Sequence, residues 1–377
     1  MTTTVDRRQV LGRARRLVVK IGSAVLTGAR GTLNPRRVRH LSDQVCDLCD
    51  RGYEVIVVSS GAIAAGIGEL GLAARPTRMA ELQATAAVGQ SRLIRSYNEC
   101  FRRRGRSVGQ VLLTREDLED RARFLNTRNT LRALIAMGCV PVINENDSVS
   151  VDEIRYGDND FLSAHLATLM LADLLVILSS VDGLYETDAA GRKRVVGVVE
   201  RVSEDIVRLD TGQKSSRGTG GMSSKLRAAW MITKTGVPVV IAGGRRRNIL
   251  SQIVAGESVG TLFLPAAQRM SSRKRWIGFT ARPCGCLTVD DGARRALVEG
   301  GKSLLASGVR AVRGTFQKGD VVALAVGANP PFAHGLTNYS SAELVLIQGY
   351  HTRDIKARLG YAGHDEVVHR DNLVVLD

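Results

Sequence analysis

EVIVVS, residues 54–59, is a continuous β-branched run with no alternation of polar and apolar side chains. A strand of that kind is buried on both faces, which is the situation of a parallel sheet covered by helices on each side. Working outward, Leu17–Ile21, Ser107–Leu113, Val140–Asn144, Leu174–Ser179 and Val237–Ala242 are further strand candidates. Between them, Asn34-Pro35 supplies an N-cap and first-turn pair for a helix to about Arg51, and helical stretches run from about Met79 to Arg103 and from Asp120 to Met137. Strand, helix, strand repeated over residues 16–262 predicts a three-layer α/β/α sandwich with a mainly parallel central sheet. In such sheets ligands bind at the carboxyl ends of the strands. Asp188–Arg192 (DAAGR) reads as a hairpin turn inserted near that rim.

Around Leu264–Arg275 the pattern changes. Pro265, alanines and the polar, basic run Ser271–Arg275 mark a linker, placed at residues 266–274. Beyond it come short strand candidates at Gly285–Val289, Ala311–Gln317, Val321–Val326 and Ala342–Ile347, separated by Gly, Asp and Asn. The expectation is one larger domain over residues 1–265 and a small, mostly β domain over 275–377, in keeping with a length of 377 residues.

Composition excludes several classes. No apolar run approaches the roughly 20 residues needed to cross a bilayer. Arg7–Arg16 followed by Leu17–Leu26 imitates a secretory signal, but Lys20 and Ser23 interrupt the apolar stretch. Six cysteines are too few to staple a chain of this length, and neither Cys46-x-x-Cys49 nor Cys284-x-Cys286 has the partners of a zinc or redox site. The chain reads as cytoplasmic and reduced. A net charge of +16 invites a nucleic-acid reading, yet residues 1–265 carry +11 and residues 266–377 carry +5, so neither part is a basic specialist.

Two phosphate-loop imitations fail on context. Gly300-Gly301-Lys302-Ser303 follows a helical stretch, and Ala296 stands where a P-loop needs its leading glycine. Gly66-x-Gly68-x-x-Gly71 runs into Pro76 without opening a helix from a strand, so both are expected to be turns. The strand ends are more informative. The first delivers Lys20, Gly22 and Ser23, a cation followed by a glycine that frees backbone N–H groups, which suits a polyphosphate. The second delivers Ser59-Ser60-Gly61-Ala62, small enough for close approach of a ligand. The fourth ends in Asn144-Glu145-Asn146-Asp147, followed by Gly157-Asp158-Asn159-Asp160 opening a helix. Gly218-Thr219-Gly220-Gly221-Met222-Ser223-Ser224-Lys225 is a glycine-rich loop feeding a helix and ending in a second lysine. Singly, each has a plainer reading as a solvated charge, a turn or an N-cap. Together they fall on one rim of one sheet.

Lys20-Ile21-Gly22-Ser23-Ala24-Val25-Leu26, SSGAIAAG (59–66), INENDSV (143–149), GDND-x-LSA (157–164), GLY (183–185) and GTGGMSSK (218–225) resemble the glutamate 5-kinase family, in order and at compatible spacing. The tail from about Arg275 resembles a PUA domain. The resemblance implies that ATP, with Mg²⁺, phosphorylates the side-chain carboxylate of L-glutamate to γ-glutamyl phosphate, the first step of proline synthesis. It further implies proline as a feedback inhibitor, a homo-oligomer and γ-glutamyl phosphate reductase as a partner. By the family pattern Ser60, Asp147 and Asn159 contact the amino acid, within a substrate segment that also includes Gly61, Asn144 and Asp158. Asp147 suits the α-ammonium, while Ser60 and Asn159 suit the acid groups as donors. Lys20, Gly22, Ser23, Ser179, Ser180 and Thr219–Lys225 match the nucleotide segments. Lys20 and Lys225 are the expected catalytic cations, with Asp160 orienting both. Ser180 departs from the family, whose members often have Asp there.

Two rivals remain open at this stage: an RNA-binding protein with a vestigial kinase half, and a sister kinase acting on another small acid. Against the first, the C-terminal aromatics Trp276, Phe279, Phe316, Phe332, Tyr339, Tyr350 and Tyr361 are scattered along the sequence instead of forming a stacking platform.

Overall fold

The apolar runs of the first 262 residues build one sheet. The computed structural model describes residues 6–149, 159–188, 191–202, 221–266 and 269–376. Its strands in the first part are β1 (Arg16–Ile21), β2 (Glu54–Ser59), β3 (Val108–Leu113), β4 (Val140–Glu145), β5 (Leu174–Ser179), β6 (Tyr185–Thr187), β7 (Lys193–Val195), β8 (Val198–Val199), β9 (Val239–Gly243) and β10 (Thr261–Phe263). Eight of them line up as β3-β4-β2-β1-β5-β9-β10-β8. From β3 through β9 every pairing is parallel, and only β10 runs antiparallel to β9. β5 and β9 are buried at every position and β2 at all but its first, as their unbroken apolar sequences demand. β6 and β7 form the separate hairpin expected around residue 188. There Asp188 accepts from the Arg192 backbone N–H (2.9 Å), the local bond that favours Asp in turns.

The helices are α1 (Arg7–Leu11), α2 (Ser23–Leu26), α3 (Pro35–Asp50), α4 (Ala62–Glu69), α5 (Met79–Arg102), α6 (Arg115–Glu119), α7 (Arg121–Ala136), α8 (Asn159–Leu169), α9 (Met222–Lys234) and α10 (Ile249–Val254). α3 starts as its sequence predicts, with Pro35 in the first turn and the Asn34 side chain accepting from Arg36 N–H. α4 and α5 cross with almost no side chain between them. A Cβ on Gly66 would lie 1.9 Å from the Thr85 carbonyl oxygen, and one on Gly89 1.8 Å from that of Ala62. The glycine-rich imitation at 66–71 is thereby corrected in part. Gly66 and Gly68 sit inside α4, where Gly66 is required by helix packing, and only Gly71, at φ +63°, makes a turn.

From β1 the chain crosses to β2 and builds β3 and β4 on that side. It then returns to the other flank of β1 with β5 and β9. The reversal falls beside β1, so the carboxyl ends of β1 and β5 are the place where open α/β sheets bind ligands.

Two compact units divide the chain, residues 1–118 with 122–269 and residues 119–121 with 270–377. The second contains α11 (Ser272–Phe279), β11 (Gly285–Val289), α12 (Asp291–Val298), β12 (Val309–Gly314), β13 (Val321–Val326), β14 (Ala333–Thr337), α13 (Ser341–Ile347), α14 (Ile355–Leu359) and β15 (Val368–Val375). Its strands are ordered β12-β11-β13-β14-β15. Ala342–Ile347, expected to be a strand, is a helix instead. Ser340 and Glu343 form a reciprocal capping box, and the buried residues Leu344 and Ile347 are three apart while Val345 and Leu346 are exposed. Trp276, Phe316, Phe332 and Tyr339 are core residues, so four of the seven aromatics are withdrawn from any stacking surface. Gly301 has φ +56° in a turn after α12, as expected of an imitation P-loop. Among the described residues, no helix is long and apolar enough to cross a membrane.

Candidate active site

β1 ends by placing Lys20 between Val58 of β2 and Ile177 of β5. Only 4 % of Lys20 is exposed. Its Nζ donates to Asp160 Oδ1 (2.5 Å), at the start of α8, which packs against β1. Lys225, on the first turn of α9 and 5 % exposed, donates to the other carboxylate oxygen (3.1 Å). Ser224 Oγ donates to that same oxygen (2.7 Å). Burial by itself would raise the Asp160 carboxyl. The charges of Lys20 and Lys225 and the hydrogen bonds from Lys20 and Ser224 outweigh it and hold the group down at about 2. Two lysines distant in sequence thus meet on one completely buried carboxylate.

Around the cluster the backbone is small. Gly22 donates its N–H to the Leu178 carbonyl (3.0 Å), and an added Cβ there would lie 4.0 Å from Lys20 Nζ. Ser23 opens α2. Ser179, buried, closes β5, and Ser180 beyond it is exposed. Gly221, Met222 and Ser223 lead into α9, with Ser224 Oγ also donating to the Gly221 carbonyl (3.0 Å). Thr219, Gly220 and Asp158 lie outside the described residues.

On the β2 and β4 side, Asn159 and its hydrogen-bond partners are neutral. Gly61, at φ +113°, adopts a backbone that L side chains avoid, and it turns the chain from β2 into α4. Asn159 Nδ2 donates to Ser60 Oγ (2.9 Å) and to Asn144 Oδ1 (3.0 Å). Asn144 is 3 % exposed, and its Nδ2 donates to Gln90 Oε1 (2.8 Å) on α5. This differs from the expected donation by Asn159 to an acid group: both of its amide hydrogens are engaged within the protein. What it offers is Oδ1, which is buried and has no hydrogen-bond partner among the described residues. Ser60 accepts from Asn159 and so retains its own hydroxyl hydrogen for donation. Asp147 follows β4 and is half-buried, with Arg75 close enough to interact electrostatically.

Sequence reasoning missed Gln90, Tyr97 and Arg75. Gln90 and Tyr97 lie on α5, where neither has a local motif. Tyr97 shares a hydrogen bond with Ser59 Oγ (2.9 Å), and burial pushes its phenol up, so it stays protonated beside the Ser59-Ser60 turn. The only sequence signal for this part of α5 is Gly89, a glycine inside a helix that otherwise has no reason to contain one. Elsewhere, burial pushes the Cys46 thiol up to about 11, as befits an idle buried cysteine.

Residues 15–243 match the Amino acid kinase family and residues 285–359 match the PUA domain. Glutamate 5-kinase of Syntrophotalea carbinolica is 50 % identical over 373 residues, covering 98 % of this chain and 99 % of its own. Glutamate 5-kinase of Caldanaerobacter subterraneus is 48 % identical over 364 residues, 96 % of this chain and 98 % of its own. With such identity sustained through both the kinase and the PUA regions, the chain belongs to the glutamate 5-kinase family.

Proposed function

We propose that this protein transfers the γ-phosphoryl group of ATP, carried as its Mg²⁺ complex, to the side-chain carboxylate of L-glutamate. The product is γ-glutamyl phosphate, and the step opens proline synthesis. The observation that carries this reading is the meeting of Lys20 and Lys225 on Asp160 at the carboxyl end of β1.

The physical problem is bringing a carboxylate to an anionic phosphoryl group. One pair of like unit charges at 4 Å costs about 1 kcal/mol in water and about 4 at an effective dielectric of 20. Lys20 and Lys225 offset that repulsion, and Asp160 fixes both ammonium groups in place, so that little reorganisation is needed as charge moves. A side-chain oxygen of glutamate attacks phosphorus, the bond from phosphorus to the β,γ-bridging oxygen breaks, and ADP leaves with that electron pair. No general base is required, because the attacking carboxylate is already ionised at neutral pH. The Gly221–Ser224 turn offers backbone donors to the phosphates, whereas the single N–H of Gly22 is committed to the Leu178 carbonyl. Ser60 donates to an acid group of the amino acid, while Asp147 and Asn159 Oδ1 accept from its ammonium.

The family reading also carries cytoplasmic residence, feedback by proline, a homo-oligomer and hand-over of the labile acyl phosphate to γ-glutamyl phosphate reductase. RNA binding as the primary role is not favoured, given the near full-length similarity to kinases. The test is hydroxamate trapping of the acyl phosphate across a panel of small acids with ATP and Mg²⁺. Trapping with L-glutamate is the expected result. Trapping only with a different acid, or with none, overturns the assignment.

A further inference from the structure

Gln90, Asn144, Asn159 and Ser60 form one hydrogen-bonded line from the middle of α5 to the rim of β2, with links of 2.8, 3.0 and 2.9 Å. Three of its four members are primary amides. Each such amide has a donor end and an acceptor end, so every link can be made in either sense, but only if all the amides agree. The polarity of the whole line is therefore a collective property, which an end group able only to accept or only to donate would impose.

In the sense observed, Gln90 presents its carbonyl to Asn144. Asn144 then presents its own carbonyl to Asn159. Both hydrogens of the Asn159 amide are consequently engaged, and its Oδ1 is left buried with no hydrogen-bond partner among the described residues. Reversal at Gln90 would reverse each step and turn a donor, not an acceptor, toward the amino-acid side. For a substrate bearing an α-ammonium group, that exchanges a hydrogen bond to a cation for a repulsive N–H contact.

We infer that Gln90 is a positioning residue for the amino-acid substrate: its carbonyl fixes the polarity of the amide line, so that Asn159 faces the α-ammonium group as an acceptor. This rests on the proposed function, because an amino acid is taken as the ligand of the Asn159 side. The position of Gln90 is set by the close crossing of α4 and α5, since its neighbour Gly89 has no room for a side chain against Ala62. Its other flank lines a cavity of about 950 Å³ between α5 and β3, so longer or charged side chains can be placed there without entering the packed core.

Gln90→Glu and Gln90→Lys separate polarity from packing. A carboxylate can only accept from Asn144 and keeps the observed sense, whereas an ammonium can only donate and imposes the opposite one. Steady-state hydroxamate trapping then gives KM and kcat for L-glutamate and KM for ATP. The expected result is that Gln90→Lys raises KM for L-glutamate about tenfold or more, the scale of one hydrogen bond to a charged group. Its kcat and its KM for ATP should stay within about threefold of wild type. Gln90→Glu should keep KM for L-glutamate at least about fivefold below that of Gln90→Lys. Calorimetric titration of L-glutamate into the same proteins reads the line independently of turnover and should rank them in the same order. Equal KM values and equal affinities in the two variants overturn the inference, as does a loss in Gln90→Lys that falls alike on glutamate KM, ATP KM and melting temperature. Wild-type protein that traps no acyl phosphate from L-glutamate defeats the proposed function instead, and the calorimetric ranking then decides the amide line alone.

Discussion

Asn159 and Asp160 are adjacent at the start of α8, yet they serve opposite chemistries. Asp160 turns to the β1 side, fully buried, and holds two ammonium groups and a hydroxyl. Asn159 turns to the β2 and β4 side and belongs to a line of neutral amides. One helix start therefore contributes to a buried charged cluster on one side and to a line of neutral amides on the other. Removing a partner from the charged cluster strands an ion in a poor solvent, while disturbing the amide line mainly misaligns a ligand.

The largest effect should come from Asp160→Ala, which leaves Lys20 and Lys225 buried without their shared carboxylate. Breaking a buried ion cluster this way costs about 3–5 kcal/mol, read as a loss of unfolding free energy in urea. A loss under about 1 kcal/mol would mean the charged cluster is more solvated than its burial indicates. Gly89→Ala should be next. Its Cβ would meet the Ala62 carbonyl at 1.8 Å, and overpacking of this kind costs about 1–3 kcal/mol. Because α5 carries Gln90, KM for L-glutamate should rise as well, while KM for ATP moves little. Equal changes in both would erase the distinction between the cluster and the amide line.

Acid should give the smallest effect. The Asp160 carboxyl titrates at about 2 in the folded protein against an ordinary 3.8, so on acidification the unfolded chain takes up this proton first. Its contribution, roughly 2 kcal/mol, is complete above the ordinary value and is lost as pH falls from about 4 toward 2. Asp160→Asn should flatten the decline of unfolding free energy across that window, and an unchanged slope would contradict the assignment.

The charged cluster was legible because its signals are local. A lysine one residue before the end of an apolar strand, with a glycine right after it, and a lysine closing a glycine-rich turn each announce themselves within a few positions. Asp160 followed from its place at a helix start. Gln90 was not legible, because nothing near it in sequence says that a close helix crossing brings it to Asn144 on β4. The donor or acceptor sense of Asn159 was equally hidden, since it depends on residues 15 and 99 positions away. Ala342–Ile347 was misread because four apolar residues in a row suit a strand, whereas the Ser340–Glu343 capping box decides for a helix. Short strands such as β8 and β10, with two and three residues, have too little sequence to show a period.

Turnover of the Lys20→Ala and Lys225→Ala variants, measured by hydroxamate trapping at saturating ATP and L-glutamate, tests the central claim most directly. In the proposed mechanism each variant loses one preorganised cation facing the transferring group, so kcat should fall by about 10²–10³ in both. Turnover within about threefold of wild type in both variants would contradict a phosphoryl-transfer site built on these two lysines.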